Sequence, residues 1–380
     1  MKLAKPILWK ESIVNYFPEK DPIWEKTTPE AAGFDPTLLK EATDFALASE
    51  TDWSHDVVTS LLKKMAETPP YNEIIGPIKE RGGPNGIILR GGRIVAEWGD
   101  TYRVDMTFSA SKSYLSVCAG LAHDKGLIPD LHAPVKDLVD DGGFEPPHNH
   151  KITWQHLLQQ TSEWEGTLFG KPDWIDRNRD VTIKGPQTQK GTSRELQEPG
   201  TYFEYNDVRV NRAALALLRV WRRPLPEVLR EHIMDPIGAS DTWEWHGYRN
   251  SYITIEGRKM QSVSGGGHWG GGLFISSRDH ARFGYLLLRR GNWNGKQLLS
   301  EDWIKQATTP CESNPEYGYM FWLNTGRTLS PSVPESSFFA RGAGSHVVWI
   351  DPDHDLVAVF RWVLKEKIDE LCSKILRATR

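Results

Sequence analysis

At 380 residues, 39% hydrophobic and 25% charged, the chain has a globular composition that excludes disordered and collagen-like readings. Its net charge of −4 offers no basic footprint for nucleic acid or anionic lipid, so the expected partner is a small molecule. The length exceeds the usual single-domain range and predicts one large or two interlocked domains.

The chain opens on a polar, Pro-interrupted arm, residues 1–35. Charges break every apolar stretch in it, leaving no secretory h-region, and no run elsewhere approaches the roughly 18 apolar residues of a membrane helix. Cys118, Cys311 and Cys372 are odd in number and widely spaced, which argues for reduced thiols. A cytoplasmic protein is therefore expected, with no membrane contact. Sixteen tryptophans suit core filling and substrate walls alike.

A helical pattern covers Pro36–Ala48. Asn85–Trp98 reads as a hairpin turning at Gly91-Gly92, where glycine tolerates positive φ. Ser109–Lys125 has the apolar spacing of a buried helix, stopped by Gly126. Residues 128–260 alternate helical stretches, Trp154–Gln160 and Asn211–Trp221, with long loops. Arg278–Arg290 is a further helix. His346–Ile350 and Leu356–Trp362 form a second hairpin around DPDHD, and Lys365–Ala378 closes the chain as a helix.

Strands near both ends with helices between them predict an α/β (α+β) fold. Its antiparallel sheet joins N- and C-terminal strands, flanked by helices, around an inserted helical domain. The expected division is a sheet domain of residues 36–108 and 270–380 and a mostly helical domain of residues 109–269, with the active site at their junction.

The sharpest local signal is Ser109-Ala110-Ser111-Lys112 at a helix start. Residues i and i+3 share a face, so Ser109 and Lys112 point the same way one turn apart. A lysine amine in reach can take the serine proton, and the helix N-terminus favours developing negative charge. Taken alone, the same four residues equally suit an N-capping serine with a surface lysine.

The surrounding blocks decide between the two. GIILRGGRIVAEWGD, MTFSASKSYLSVCAGLAHDKGLI, EPGTYFEYNDVRVNRAALALL, GGLFISSRDHARFGYLLLRRGNWNGKQLLS and ARGAGSHVVWIDPDHDLVAVFRW occur in that order. They resemble the serine hydrolases related to class C β-lactamases and penicillin-binding proteins, over roughly residues 28–365. Within that group they are most similar to the cytoplasmic esterase and amide-hydrolase branch that includes the 6-aminohexanoate-dimer hydrolases.

The resemblance implies Ser109 as nucleophile and Lys112 with Tyr205 as base. Tyr205-Asn206-Asp207 stands where the family has Tyr-x-Asn. Asp207 adds a charge that would hold Lys112 protonated and leave the base role to Tyr205. The family's Lys-Thr-Gly is absent, and Arg341-Gly342-Ala343-Gly344 takes its place. Glycines 342 and 344 let the backbone approach the substrate, and the amide of Ala343 pairs with that of Ser109 as an oxyanion hole. With that lysine and threonine missing, a β-lactam carboxylate has only Arg341 as a substitute grip, which disfavours antibiotic hydrolysis.

Trp164 follows a segment that borders the site in the family and is expected to wall the acyl pocket. His268, among six glycines in Ser264–Gly272, is either a substrate contact at the pocket rim or a residue of structural glycine packing. His148, His150 and His156 lack metal-ligand spacing, and Asp351, Asp353 and Asp355 lack the Gly and Glu of a calcium loop. No GxSxG, Walker or GxGxxG motif occurs, so neither metal nor cofactor is expected. The reading is a serine hydrolase of a small ester or amide. Its rivals are a β-lactamase or D-Ala-D-Ala peptidase, and a non-catalytic binding protein on the same fold.

Overall fold

The computed structural model describes residues 15–64, 67–181 and 188–380. From residue 15 the arm lies on the body. Tyr16 donates its amide to the Gly91 carbonyl (3.0 Å), and Trp24 its ring nitrogen to that of Gly92 (2.8 Å). Helix α1, Pro36–Ala48, is capped by Asp35, whose carboxylate accepts the amides of Thr37 and Leu38. Strands β1 (Asn85–Arg90) and β2 (Arg93–Trp98) form the first hairpin. Its turn glycines, Gly91 and Gly92, sit at φ 57° and 84°, as a two-residue turn matched to strand twist requires.

Strand β3 (Asp105–Met106) leads through a 3₁₀ turn, Phe108–Ala110, into α2 (Ser111–Asp124). Helix α3 spans Asp207–Trp221, four residues longer at its start than the apolar pattern predicts, because the Asn206 side chain caps it by accepting the amides of Val208 and Arg209. Then come β4 (Glu244–Ile255), β5 (Arg258–Val263), β6 (Gly272–Ile275) and α4 (Ser277–Leu288). The chain ends with β7 (Trp322–Leu323), β8 (Phe338–Gly342), β9 (His346–Asp351), β10 (Leu356–Arg361) and α5 (Ile368–Arg377).

The main sheet is antiparallel in the order β7-β8-β9-β10-β1-β2. Terminal halves of the chain meet where β10 pairs β1, Asn85 opposite Arg361 and Arg90 opposite Leu356. Side chains alternate across it. Ile87, Leu89, Val348, Val357 and Val359 enter the core that α2 and α4 cover, with Phe283, Leu286 and Leu287. Ile88, Trp349, Ala358 and Phe360 enter a second core with Leu39 and Ala42 of α1 and Leu371 and Ile375 of α5. Both faces are buried, which is why these strands are apolar throughout.

The inserted region differs from the expected mostly helical one. It contains β4 and β5, which join β6 and β3 in a second antiparallel sheet, β3-β6-β4-β5. Its long hairpin turns at Glu256-Gly257, φ 51° and 79°. One face of the hairpin is solvated, so polar residues interrupt its hydrophobic pattern. Among the described residues no helix is long and apolar enough to cross a membrane.

Candidate active site

Ser109 sits half-buried in the turn between β3 and α2. The preceding residue, Phe108, is held at φ 49°, a conformation that costs a non-glycine residue on the order of 1–3 kcal/mol. Packing holds it there: the Phe108 ring lies 5.2 Å from Trp53 and 5.8 Å from His346. The second sheet ties down the same turn. Thr107 donates its amide to the Leu273 carbonyl (2.9 Å), and Ser111 Oγ accepts the Leu273 amide (3.0 Å) while donating to the Phe108 carbonyl (2.6 Å).

One turn on, Lys112 is 1% exposed, and its Nζ donates to Ser109 Oγ at 3.0 Å and to Asp207 Oδ1 at 2.5 Å. The capping of α3 by Asn206 leaves the Asp207 side chain, first in that helix, free to point at Lys112. Gly266 makes the approach possible: a Cβ there would collide with Asp207 Oδ1 and lie 2.5 Å from Lys112 Nζ.

Behind this pair is a ring of buried charge. Asp207 Oδ2 accepts from Arg179 (2.5 Å), and Asp176 accepts from both Arg179 (3.3 Å) and the Asp207 amide (2.6 Å). Asp176 also meets Lys190 (3.0 Å), Lys190 meets Glu67 (2.5 Å), and Glu67 meets His268 Nε2 (2.5 Å). His268 Nδ1 closes the ring 3.8 Å from Asp207 Oδ2. Glu67, Asp176 and His268 cluster within 4.8 Å, as metal ligands do. The Lys190 ammonium stands among them, 3.1 Å from His268, and supplies the positive charge itself. Three cations, Lys112, Arg179 and Lys190, thus balance three carboxylates.

Burial alone would push the Lys112 ammonium down, but Asp207 and then Tyr205 outweigh it and hold its pKa above the usual value. Burial likewise opposes ionisation of Asp207, yet Lys112, Arg179 and His268 hold its carboxyl far below the ordinary range. Near neutral pH both groups are charged.

Tyr205 meets this pair with its ring. Lys112 Nζ lies 4.6 Å from the ring centroid, and the ring stacks on Trp322 at 5.6 Å. Tyr205 and Trp322 also line a cleft of about 510 Å³, with Arg179, Tyr202, Phe203 and Glu316 around it. Among the described residues no protein group hydrogen-bonds the phenol.

On the opposite flank β8 brings its last residue against the nucleophile. A Cβ on Gly342 would run into the Thr107 carbonyl and lie 3.2 Å from the Ser109 amide nitrogen. Ala343 follows, exposed, in the turn to β9, so the glycine-rich segment ends one strand rather than starting the next. Gly344, at φ 71°, packs on Trp362 and accepts its amide at 3.0 Å. Its role is to seat the turn on the core. Arg341 departs from expectation. Alternation along β8 sends it with Phe339 to the sheet face opposite Gly342, where Cys372, Glu316 and Tyr205 lie near enough to act on its charge.

Trp164 and His268 also depart from the sequence reading. Trp164 is 3% exposed in the core, its indole donating to the Gly143 carbonyl (2.7 Å), because the adjacent Glu163 is drawn inward by Arg194 and Arg209. His268 stands behind Asp207 within the ionic ring. Of the discounted histidines, His148 bonds the Glu163 carbonyl and His156 accepts the Thr153 amide in a capping box. Asp351 accepts the amides of Asp353 and His354 as a turn should. Sequence reasoning missed Asp176 and Arg179, three residues apart, and Lys190 and Glu67, which are 123 residues apart in the chain.

A serine bonded to a buried, charged lysine at the start of a helix, beside the last residue of β8, is an arrangement suited to a serine hydrolase. Comparison with known proteins agrees. Residues 81–364 match the Beta-lactamase family model, and the chain belongs to that family. An uncharacterized protein of Alkalihalophilus pseudofirmus is 32% identical over 281 residues, 66% of this chain and 71% of its own. Among solved structures, a Bacillus anthracis protein assigned as a 6-aminohexanoate-dimer hydrolase has a TM-score of 0.54 at 19% identity, covering 95% of this chain and 97% of that one. A D-stereospecific amidohydrolase from Streptomyces has a TM-score of 0.53 at 16% identity, covering 84% and 98%.

Proposed function

We propose that the protein cleaves a small linear ester or amide through an acyl-enzyme on Ser109. The 3.0 Å bond from Lys112 to Ser109 Oγ carries this reading, because Lys112 is fixed from behind by Asp207 and turns another of its three N–H donors to the nucleophile. Held charged, Lys112 orients Ser109, and Tyr205, whose ring lies 4.6 Å from Lys112 Nζ, is the group left to take the serine proton and return it to the leaving group. The amides of Ser109 and Ala343 receive the oxyanion. Water then resolves the acyl-enzyme.

No Lys-Thr-Gly occurs and Arg341 lies across the sheet from Gly342, so penicillins, whose carboxylate that motif grips, are proposed as poor substrates. The cytosol is the proposed location, supported by three free, buried cysteines. Labelling with a fluorophosphonate probe and p-nitrophenyl butyrate hydrolysis test the reading. Wild type should label and turn over, and Ser109→Ala should do neither beyond a small residue. Labelling retained in Ser109→Ala would falsify the assignment. Penicillin turnover with a kcat/KM matching that of the ester would overturn the substrate class.

A further inference from the structure

One row of residues across the main sheet is polar where its neighbours are apolar. Register places Asn85 of β1 opposite Arg361, the last residue of β10. Val347 pairs with Phe360, which sets His346 of β9 beside Arg361, and Gly342 of β8 pairs with His346. All four face the α2 and α4 side. The row therefore runs from Asn85 through Arg361 and His346 to the glycine that touches the Ser109 amide.

Arg361 is fully buried, yet its Nε, Nη1 and Nη2 lack protein partners, as do both ring nitrogens of His346 at 1% exposure. The carboxylates near enough to act on Arg361 are committed elsewhere. Asp105 accepts from Arg103, Trp362 and the Gly82 amide, and Asp279 accepts from both the amide and the hydroxyl of Ser240. His280, on α4, is engaged between Thr107 Oγ1 and Tyr114 Oη. An unpaired buried guanidinium costs several kcal/mol, so the fold needs a counter-charge there. The hydrogen-bond inventory points to its kind. Arg361 has five N–H donors and a neutral His346 one, against a single acceptor nitrogen on His346. Water must also donate, and that surplus of donors does not suit it.

We propose that Arg361 and His346 bind a small monovalent anion, chloride in the cell, inside the sheet beneath the nucleophile turn. The anion neutralises Arg361 and braces the β8–β9 turn through His346, whose ring packs on Phe108 and, at 4.4 Å, on Trp362. It touches no reacting atom and acts as a structural counter-ion.

The test replaces chloride with bromide throughout purification and crystallisation of the wild-type protein and collects diffraction at the bromine edge. An anomalous peak within hydrogen-bonding distance of the Arg361 guanidinium is expected. Bromide only elsewhere, or ordinary water density at that position, overturns the proposal. In solution, wild type should melt several degrees higher in chloride than in gluconate of equal ionic strength, the stabilisation expected of a ligand that binds only the folded state. Arg361→Met, uncharged and of similar length, should lose that difference. Equal melting of the wild type in the two salts, in protein prepared without halide, also overturns it.

Discussion

The two flanks of Ser109 are built on opposite principles. On the β8 side contact is made by backbone: Gly342 against Thr107 and the Ser109 amide, with His346 beside it in the sheet. On the α3 side contact is made by charge: Lys112, Asp207, Arg179, Asp176, Lys190 and Glu67, nearly all buried and alternating in sign. The first flank fixes where an oxyanion sits, since backbone amides do not titrate. The second fixes protonation, since in a low-dielectric surround each ion depends on its neighbours for its charge.

The sharpest break in this comparison comes from one methyl group on each flank. Gly266→Ala forces Asp207 and Lys112 apart, so kcat/KM should fall toward the upper end of the roughly 100- to 10,000-fold that acid–base machinery contributes. Gly342→Ala collides with the Thr107 carbonyl and should also lower kcat, but without moving the pH–rate profile, because no charge is disturbed. Steady-state kinetics across pH separate the two. Equal profile shifts in both variants would mean that the flanks do not divide the work.

Tyr205→Phe comes next. The ring stays stacked on Trp322 and under Lys112, so substrate binding and fold should persist while the phenol is lost. The expected result is a kcat decrease of roughly 100-fold or more with little change in KM. If kcat stays within a fewfold of wild type, a neutral Lys112 must be the base.

Most of the apolar-backbone flank is legible in the sequence. Gly91-Gly92 between two β-rich runs and DPDHD between two more give both hairpins of the main sheet, and a continuous apolar run is what a strand buried on both faces must be. The i, i+3 spacing of Ser109 to Lys112 gives their contact. The charged flank is not legible this way. Arg179, Lys190 and Glu67 each look like solvated loop residues, because an ion's burial depends on partners over 100 residues away in sequence, as Lys190 and Glu67 are. The β4–β5 hairpin was in reach: Glu256-Gly257 between alternating segments is a turn signal that the surrounding Trp, His and Arg obscure. Asp207 is intermediate. Its position follows the Tyr-x-Asn register, but its second cation, Arg179, comes only from the fold.

Asp207→Asn sharpens the comparison by removing charge without removing shape. The network would carry one excess positive charge, and breaking a buried pair from one side costs on the order of 3 kcal/mol, visible as a lower urea midpoint at pH 7. Lys112 would lose the neighbour that chiefly raises its pKa. If catalysis needs charged Lys112, the alkaline limb of the kcat profile must move to lower pH. Were neutral Lys112 the base, the acid limb would move down instead and the variant would gain activity below neutrality.

The smallest effect on catalysis should come from Glu163, buried in the same region but outside the ring. It is bound by Arg194 through both nitrogens at 2.6 Å and by Arg209 at 2.6 Å. Burial pushes its pKa up, but these two arginines outweigh burial and hold it at about 2, below the ordinary 4.5. A carboxyl depressed in the folded state stabilises the fold above its unfolded pKa, and that contribution fades as pH falls through the folded one. Over this span it amounts to on the order of 3 kcal/mol. Glu163→Gln should therefore lower the urea midpoint at pH 7, while the two proteins converge between pH 4.5 and about 2, as wild type loses what the variant never had. Its kcat profile should match wild type, because Glu163 bonds Arg194, Arg209 and the Gln197 amide and none of Lys112, Asp207 or Tyr205. Parallel stability curves that never converge would show that Glu163 holds the fold by packing rather than by charge.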